Sequence, residues 1–138
     1  MWLYVQSTGD LFLGSSYVET GYSGAVPGGK NDPSKECVRN IGPIPRGYYA
    51  IGSAIQTPTL TTLPLSADYP AYCSPPRSGF LVHGDNSTGT ASQGCIILSR
   101  VTRERINASD VKRLRVVANS ILVRAVKRRA LAESRGLL

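Results

Sequence analysis

Residues 80–98 read FLVHGDNSTGTASQGCIIL, and they contain the only histidine of the chain, His83, twelve positions before Cys95. Two short, largely apolar runs, 78–82 and 95–98, enclose a segment rich in glycine, serine and threonine. This pattern predicts two strands separated by a loop. Side chains at the ends of such strands emerge at a sheet edge, where catalytic residues commonly lie. The stretch therefore predicts a β-rich fold that brings His83 and Cys95 to one cleft.

An imidazole and a thiol in this arrangement are typical of a cysteine nucleophile and its base. A thiol with an ordinary pKa of about 8.5 is only slightly ionised at neutral pH, and a neighbouring imidazole can take its proton. Gly94 permits a sharp turn, which would leave the amides of Gly94 and Cys95 free for a developing oxyanion. The alternative is a structural histidine and a buried cysteine. We favour catalysis because the three features occur together.

Five motifs follow one another along the chain: GYSG at 21–24, GKNDP at 29–33, GPIPRGYY at 42–49, FLVHGDN at 80–86 and SQGCIIL at 92–98. In this order they resemble the compact L,D-transpeptidase-like domain of the type VI secretion effector family, which also occurs in phage-derived proteins. The resemblance extends over about residues 2–117. It implies a mainly β fold with minor α, a β-sandwich or barrel with long loops, and no cofactor or metal.

The resemblance also implies a reaction, cysteine-dependent acyl transfer on the stem tetrapeptide of peptidoglycan. Cys95 would attack the diaminopimelate carbonyl and expel the terminal D-alanine, while His83 carries the proton. Water would then give an L,D-carboxypeptidase, and an amine an L,D-transpeptidase or D-amino-acid exchange. The candidate catalytic residues are Cys95, His83, Gly94, Ser92 and Asp85. The candidate substrate-binding residues are Tyr22, Lys30, Asn31, Arg46 and Arg100.

Several of these residues have a second interpretation. Ser92 could orient His83 or a substrate amide, or its hydroxyl could bind the backbone of its own turn. Asp85 could fix the imidazole tautomer, or it could simply form a turn. Each basic residue could pair with a stem carboxylate or remain a solvated charge. Ordinary L,D-transpeptidases carry arginine two positions after the nucleophile, where this chain has Ile97, so Arg100 is the nearest substitute.

Length and composition favour a globular enzyme domain. The chain of 138 residues is long enough for one core, and no apolar run approaches the ~20 residues of a membrane span. The N-terminus lacks the pattern of a Sec signal peptide. We therefore expect synthesis in the cytoplasm, secretion by another route and action in the periplasm of a target bacterium.

The net charge of +7 is concentrated at the C-terminal end. Residues 1–99 hold five basic and six acidic residues, a net of −1, whereas residues 100–138 hold eleven basic and three acidic, a net of +8. We predict a catalytic domain over 1–117 and a basic helical extension over 118–138. This extension could be a solvated or docking face, or could contact an anionic cell-wall or membrane surface. Nucleic acid is not expected, since aromatic residues do not alternate with the basic ones.

The chain has two cysteines in addition to the candidate nucleophile. These two, Cys37 and Cys73, could form a disulfide or remain buried thiols. A zinc site that uses these with His83 and Cys95 is disfavoured, because no Cys-x-x-Cys or His-x-x-x-His pair is present.

The remaining pattern predicts the other elements. Apolar alternation favours a hairpin over 2–6 and 11–13, then strands at 17–20, 47–52 and 112–117. Segments 24–46 and 56–79 are predicted as loops, and the first is long enough to border the cleft. A helix is expected from Arg100 to about 107–110 with Val101 and Ile106 on its buried face, and a basic amphipathic helix over 120–133.

Three functions compete at this point. The first is a peptidoglycan-targeting acyl-transfer enzyme acting as an antibacterial effector, with an immunity protein as a further partner. The second is a non-catalytic peptidoglycan-binding or phage-derived structural module, against which the intact His83 and Cys95 argue. The third is a basic interaction protein with an accidental Cys–His pair. A papain-like protease is disfavoured, because such chains place the cysteine well before the histidine.

Overall fold

Nine short strands build one sheet that curls almost into a closed barrel. The computed structural model describes residues 1–57, 60–68, 72–119 and 135–136. The strands are β1 (Trp2–Val5), β2 (Asp10–Leu13), β3 (Ser16–Thr20), β4 (Tyr22–Ser23), β5 (Gly47–Ile51), β6 (Leu63–Ala67), β7 (Phe80–His83), β8 (Ile96–Ile97) and β9 (Arg113–Val117). One helix, α1 (Arg100–Ala108), and a 3-10 turn (Pro33–Lys35) complete the described elements. The predicted mainly β fold with minor α is confirmed.

The strand order explains why the sheet curls. It runs β3-β2-β1-β9-β5-β6-β7-β8-β4, with β1/β9 and β7/β8 parallel and the other pairs antiparallel. β3 and β4 are the two edges of this order, yet Gly21 alone separates them in sequence. The two edges must therefore lie next to each other. A side chain at Gly21 would collide with the carbonyl oxygen of Ile97 on β8, so only glycine fits this corner.

The core fills the inside of this curled sheet. Alternate residues of the strands point inward, as the two-residue period of a strand requires. The most deeply buried apolar side chains include Trp2, Tyr4, Leu11, Ile44, Leu63 and Ile96. The indole N–H of Trp2 donates to the carbonyl of Val111 at 3.0 Å, which attaches the segment before β9 to β1.

Most predicted elements are confirmed. The N-terminal hairpin, the strands near 17–20, 47–52 and 112–117, the long 24–46 loop and the helix after Arg100 are all present within a few residues of their expected bounds.

The prediction of a loop over 56–79 is wrong, because β6 lies within it between β5 and β7. Leu63 and Leu65 alternate as buried residues on this strand. Pro64 lies at the second position of this strand, and its carbonyl still accepts the N–H of Gly52 at 2.8 Å although proline has no N–H to return the bond.

The buried face of α1 also differs from the prediction. Ser99 caps the helix, with its hydroxyl accepting the N–H of Thr102 at 3.3 Å. The inward residues are Thr102, Arg103 and Ile106, whereas Val101 is 78% exposed. The Arg103 guanidinium donates to the carbonyl of Leu98 at 3.1 Å, so it ties this face to the end of β8. Val101 is rotated toward solvent as a result.

A disulfide joins Cys37 to Cys73, whose Cα atoms are 5.2 Å apart. Of the two alternatives that the sequence left open, the pairing is the one observed, and it removes both thiols from any zinc site. Among the described residues, no helix has the length and apolarity needed to cross a membrane. The helix predicted over 120–133, and with it most of the 118–138 extension, lies outside the described residues.

Two substitutions on α1 test its orientation. Ile106→Ala should lower the free energy of unfolding by about 2–5 kcal/mol, because it leaves a cavity in the core. The matched variant Val101→Ala should stay within about 0.5 kcal/mol of the parent, since it removes exposed atoms only. Urea denaturation of both variants measures this. A larger loss for Val101→Ala than for Ile106→Ala would contradict the described face.

Candidate active site

The parallel pair β7/β8 carries both candidate catalytic side chains. Val82 pairs with Ile96 and His83 pairs with Ile97, and Cys95 lies directly before β8. Side chains alternate along a strand, so Cys95 shares with Ile97 the face that His83 occupies, while Val82 and Ile96 point into the core. The imidazole and the thiol therefore lie on one face of neighbouring strands.

The His83 ring is oriented by a backbone carbonyl. Its Nδ1 lies 2.8 Å from the carbonyl oxygen of Gly84. A carbonyl can only accept, so Nδ1 carries the hydrogen and Nε2 is left as the basic nitrogen of the neutral ring. Asp85 does not take this role, because its Oδ1 accepts from the Tyr22 hydroxyl at 2.6 Å and from the Asn86 N–H at 2.8 Å. The orienting group predicted at Asp85 is thus the neighbouring Gly84 carbonyl.

Cys95 is the free thiol among the described cysteines and is half-buried. Burial raises its pKa above the ordinary value, while the N–H of Leu81 and the positive charge of Arg77 act in the opposite direction. The hydrogen bonds found at Cys95 and at His83 do not join the two side chains. Catalytic hydrogen bonds are often long in the absence of substrate and tighten in the complex. Thiolate formation at neutral pH therefore requires a proton acceptor.

Two buried serines hold the turn that presents Cys95. The Ser92 hydroxyl donates to the Cys95 carbonyl at 2.6 Å and accepts the N–H groups of Gly94 and Gly24 at 3.1 and 2.9 Å. Its hydrogen-bonding capacity is filled, so it has none left for His83 or a substrate amide. The turn-forming interpretation of Ser92 fits this geometry, and the orienting one does not. Ser23 adds a second bond, from its hydroxyl to the Gly94 carbonyl at 2.9 Å.

Gly94 is required by its surroundings. Its φ is +135°, and a Cβ there would lie 2.6 Å from Nη2 of Arg77 and 3.0 Å from Phe80. Its N–H is already bound to Ser92. Two amides, those of Gly94 and Cys95, were predicted to bind the oxyanion. The Ser92 hydroxyl accepts the N–H of Gly94 but not that of Cys95.

Arg77 is a site residue that the sequence analysis missed. Its guanidinium stacks 5.2 Å from the Phe80 ring centroid and is held by four backbone carbonyls: Glu36 at 2.6 Å, Pro43 at 2.9 Å, Gln93 at 3.0 Å and Gly42 at 3.3 Å. Both Nη groups are fully used by these bonds. Arg77 therefore acts on Cys95 as a fixed charge. Its partners are distant in sequence, so no local motif announces them.

A cavity of about 630 Å³ lies beyond the end of β7 and β8, and it is called here the Lys30 cavity. Four of the predicted residues meet in its wall: Tyr22, Lys30, Asp85 and Arg100. The Lys30 ammonium lies 4.6 Å from the Tyr22 ring centroid. Burial and the hydrogen bond to Asp85 raise the pKa of Tyr22 to about 12, so its hydroxyl stays protonated. Arg100 is paired with Glu104 at 2.8 Å.

Asn31 and Arg46 are not brought into this cavity. The Asn31 side chain accepts the N–H of Ser23 at 3.2 Å and thereby shapes its own loop, where its φ is +54°. Arg46 forms an ion pair with Glu36 at 2.7 Å. Burial alone would raise the pKa of Glu36, but the hydrogen bonds from Arg46 outweigh it and hold that pKa low. Both side chains have structural partners here, and their substrate-binding role stays a prediction.

A second cavity, of about 380 Å³, opens beside the thiol and is called here the Arg39 cavity. Its lining comprises Arg39, Asn40, Pro76, Arg77, Ser78, Gly79, Phe80, Gln93 and Cys95. The long 24–46 loop, predicted to border the cleft, supplies two of these residues. Within the described residues, His, Cys, Asp and Glu side chains form no cluster of three or more that could bind a metal ion.

Comparison with protein families matches residues 18–121 to the Tlde1 domain. The matched segment is three quarters of the chain and contains His83, Cys95 and the Lys30 cavity. Members of this family are type VI secretion effectors that modify peptidoglycan. Comparison with curated protein sequences finds no significant match.

Alkylation of Cys95 tests the electrostatics of the site. Since burial raises the pKa of the thiol, the rate should keep increasing with pH beyond about 8.5. Arg77→Gln should move this increase to still higher pH, because the thiolate loses a nearby positive charge. His83→Gln should slow the reaction near neutral pH.

The measurement is iodoacetamide labelling of folded protein between pH 6 and 10, followed by mass spectrometry. Arg115→Gln, which lines a different cavity, is the charge-matched control and should leave the profile unchanged. Identical profiles for the parent, His83→Gln and Arg77→Gln would remove both residues from the environment of the nucleophile.

Proposed function

Because the chain belongs to the Tlde1 domain family of type VI secretion effectors, we propose that it is a cysteine-dependent acyltransferase acting on peptidoglycan stem peptides. The observation that carries this proposal is the arrangement on β7 and β8, where an imidazole whose Nδ1 donates to the Gly84 carbonyl shares a face with a half-buried thiol. Such a pair, next to the Cys95 N–H, suits acyl transfer at a carbonyl.

The first step is attack of Cys95 Sγ on the carbonyl carbon that links diaminopimelate to the terminal D-alanine. The thiol proton passes to Nε2 of His83, and the carbonyl oxygen gains the negative charge. The N–H of Cys95 donates to this oxyanion, and the fixed charge of Arg77 favours the anionic sulfur before attack. The C–N bond then breaks, and His83 returns the proton to the departing amine.

The second step resolves the thioester. Water releases a tripeptide stem, which is L,D-carboxypeptidase activity, whereas an amine gives exchange or a cross-link. In both cases His83 accepts a proton from the incoming nucleophile and returns it to the sulfur. The ratio of hydrolysis to transfer depends on whether water or an amine reaches the thioester from the Lys30 cavity. This reaction takes place in the periplasm of the target bacterium, where stem peptides are present.

A non-catalytic peptidoglycan-binding module is the second candidate. Such a module needs the cavities but not a reactive thiol. Several independent constraints converge on the turn of Cys95, namely the two serines, the glycine and Arg77. A binding surface does not require a nucleophile turn fixed in this way, so we favour the enzyme.

The product of a purified tetrapeptide muropeptide distinguishes the two candidates. The parent protein should remove one D-alanine from the stem. When D-methionine is added, the protein should replace the D-alanine with D-methionine, and mass spectrometry detects both products. Cys95→Ala should reduce turnover by about three orders of magnitude or more, because a covalent route is lost. Cys95→Ala should also melt at the temperature of the parent, since the change removes one half-buried sulfur.

His83→Gln should cause a loss of similar size, because the thiol proton then has no acceptor and the departing amine no donor. Turnover above about a tenth of the parent rate in Cys95→Ala would exclude Cys95 as the nucleophile. Binding of muropeptide without turnover by the parent protein would favour the non-catalytic module.

A further inference from the structure

The two cavities lie at opposite ends of the β7/β8 pair. The Arg39 cavity is lined by Ser78, Gly79 and Phe80, at the start of β7. The Lys30 cavity is lined by Gly84 and Asp85, which follow the end of β7. Because β7 and β8 run parallel, Cys95 before β8 lies at the end of the Arg39 cavity, and His83 lies closer to the Lys30 cavity. The order along the strands is Arg39 cavity, Cys95, His83, Lys30 cavity.

This order gives the substrate a direction. In the proposed reaction, Sγ of Cys95 bonds to the carbonyl carbon, and the nitrogen that leaves takes its proton from His83. The acyl side of the scissile bond must therefore extend past Cys95, and the amine side past His83. We propose that the Arg39 cavity holds the acyl-donor stem, with Arg39 on one of its carboxylates, and that the Lys30 cavity holds the departing or incoming D-amino acid. This inference rests on the proposed function.

The charges of the Arg39 cavity fit an anionic stem. Arg39 is exposed and forms no ion pair with the described part of the chain. Arg77 cannot bind a ligand through its Nη groups, because four backbone carbonyls use them. Arg39 is thus the guanidinium of this cavity that is open to a substrate. The donor stem offers two carboxylates, one on its γ-linked D-glutamate and one on the diaminopimelate side chain.

The charges of the Lys30 cavity fit a free amino acid. Its wall combines three cations with the carboxylates of Glu19 and Asp85, the cations being Lys30, Arg100 and Arg103. The departing D-amino acid and the incoming one both carry a carboxylate. The incoming one also carries an ammonium group before it reacts. The mixed lining can pair with both groups, whereas the cationic lining of the Arg39 cavity pairs with the carboxylate alone.

Three tetrapeptide stems test the contacts of the two ends of the substrate separately. The first has free carboxylates, the second has amides in place of both donor-stem carboxylates, and the third ends in D-alaninamide. Arg39→Gln should lower kcat/KM at least about tenfold on the first and third stems, because a charged hydrogen bond is lost. On the donor-amidated stem, Arg39→Gln and the parent should differ by less than about twofold.

Lys35→Gln is the matched control. It removes a positive charge from the same loop, and its side chain is exposed outside both cavities. It should leave all three values of kcat/KM within about twofold of the parent. An Arg39→Gln defect that disappears only with D-alaninamide would reverse the proposed direction. An equal defect on all three stems would make the role of Arg39 structural, and no defect would exclude Arg39 from binding.

A binding measurement keeps the inference separate from the proposed function. Calorimetry with the γ-D-glutamyl-diaminopimelate fragment, in Cys95→Ala and in Cys95→Ala with Arg39→Gln, needs no turnover. At least about tenfold weaker binding in the double variant supports the Arg39 assignment even if the parent cleaves none of the stems, which would overturn the enzyme proposal alone. Equal affinities overturn the assignment while leaving the reaction intact.

Discussion

The convergence of four backbone carbonyls on the Arg77 guanidinium is the interaction on which the arrangement of the site depends. Three of these carbonyls belong to the long loop at 36–43, and the fourth, of Gln93, belongs to the turn that leads to the thiol. One side chain thus joins two segments that belong to no strand or helix. The Cys37–Cys73 disulfide supports it, because it ties the same loop to the segment from which Arg77 extends. The guanidinium is half-buried, and the carbonyl dipoles and the Phe80 ring offset the cost of removing its charge from water.

Closure of the sheet at Gly21 supplies the second constraint. The corner brings β4 against β8, so that Tyr22 pairs with Ile97 and Ser23 with Ile96. Ser23 can then bind the Gly94 carbonyl, and Tyr22 can bind Asp85 and the N–H of Ala91. Residues 22 and 23 therefore reach the turn before Cys95 only because the barrel is nearly closed. Stability of the barrel and geometry of the site depend on one another.

The sequence predicted the parts of this molecule that are encoded locally. The strands of the hairpin follow from alternation, and His83 and Cys95 from the glycine-rich motifs that surround them. Arg77 could not be found in the same way, because its partners are 16 to 41 positions away and its segment resembles a plain loop. The buried strand β6 was missed for a related reason: Pro64 signals a break, yet its carbonyl still accepts the N–H of Gly52 across the sheet. The structural partners of Arg46 and Asn31 were missed, because a charge or an amide in a motif does not reveal its partner.

The covalent intermediate is the most direct test of the account. Intact-protein mass spectrometry, within seconds of mixing with a tetrapeptide stem, should detect a species heavier by the stem without its D-alanine. Hydroxylamine should remove this mass, as expected for a thioester, and peptide mapping should place it on Cys95. Release of D-alanine with no adduct at Cys95, or with an adduct on another residue, would contradict the central claim that this cysteine is the nucleophile.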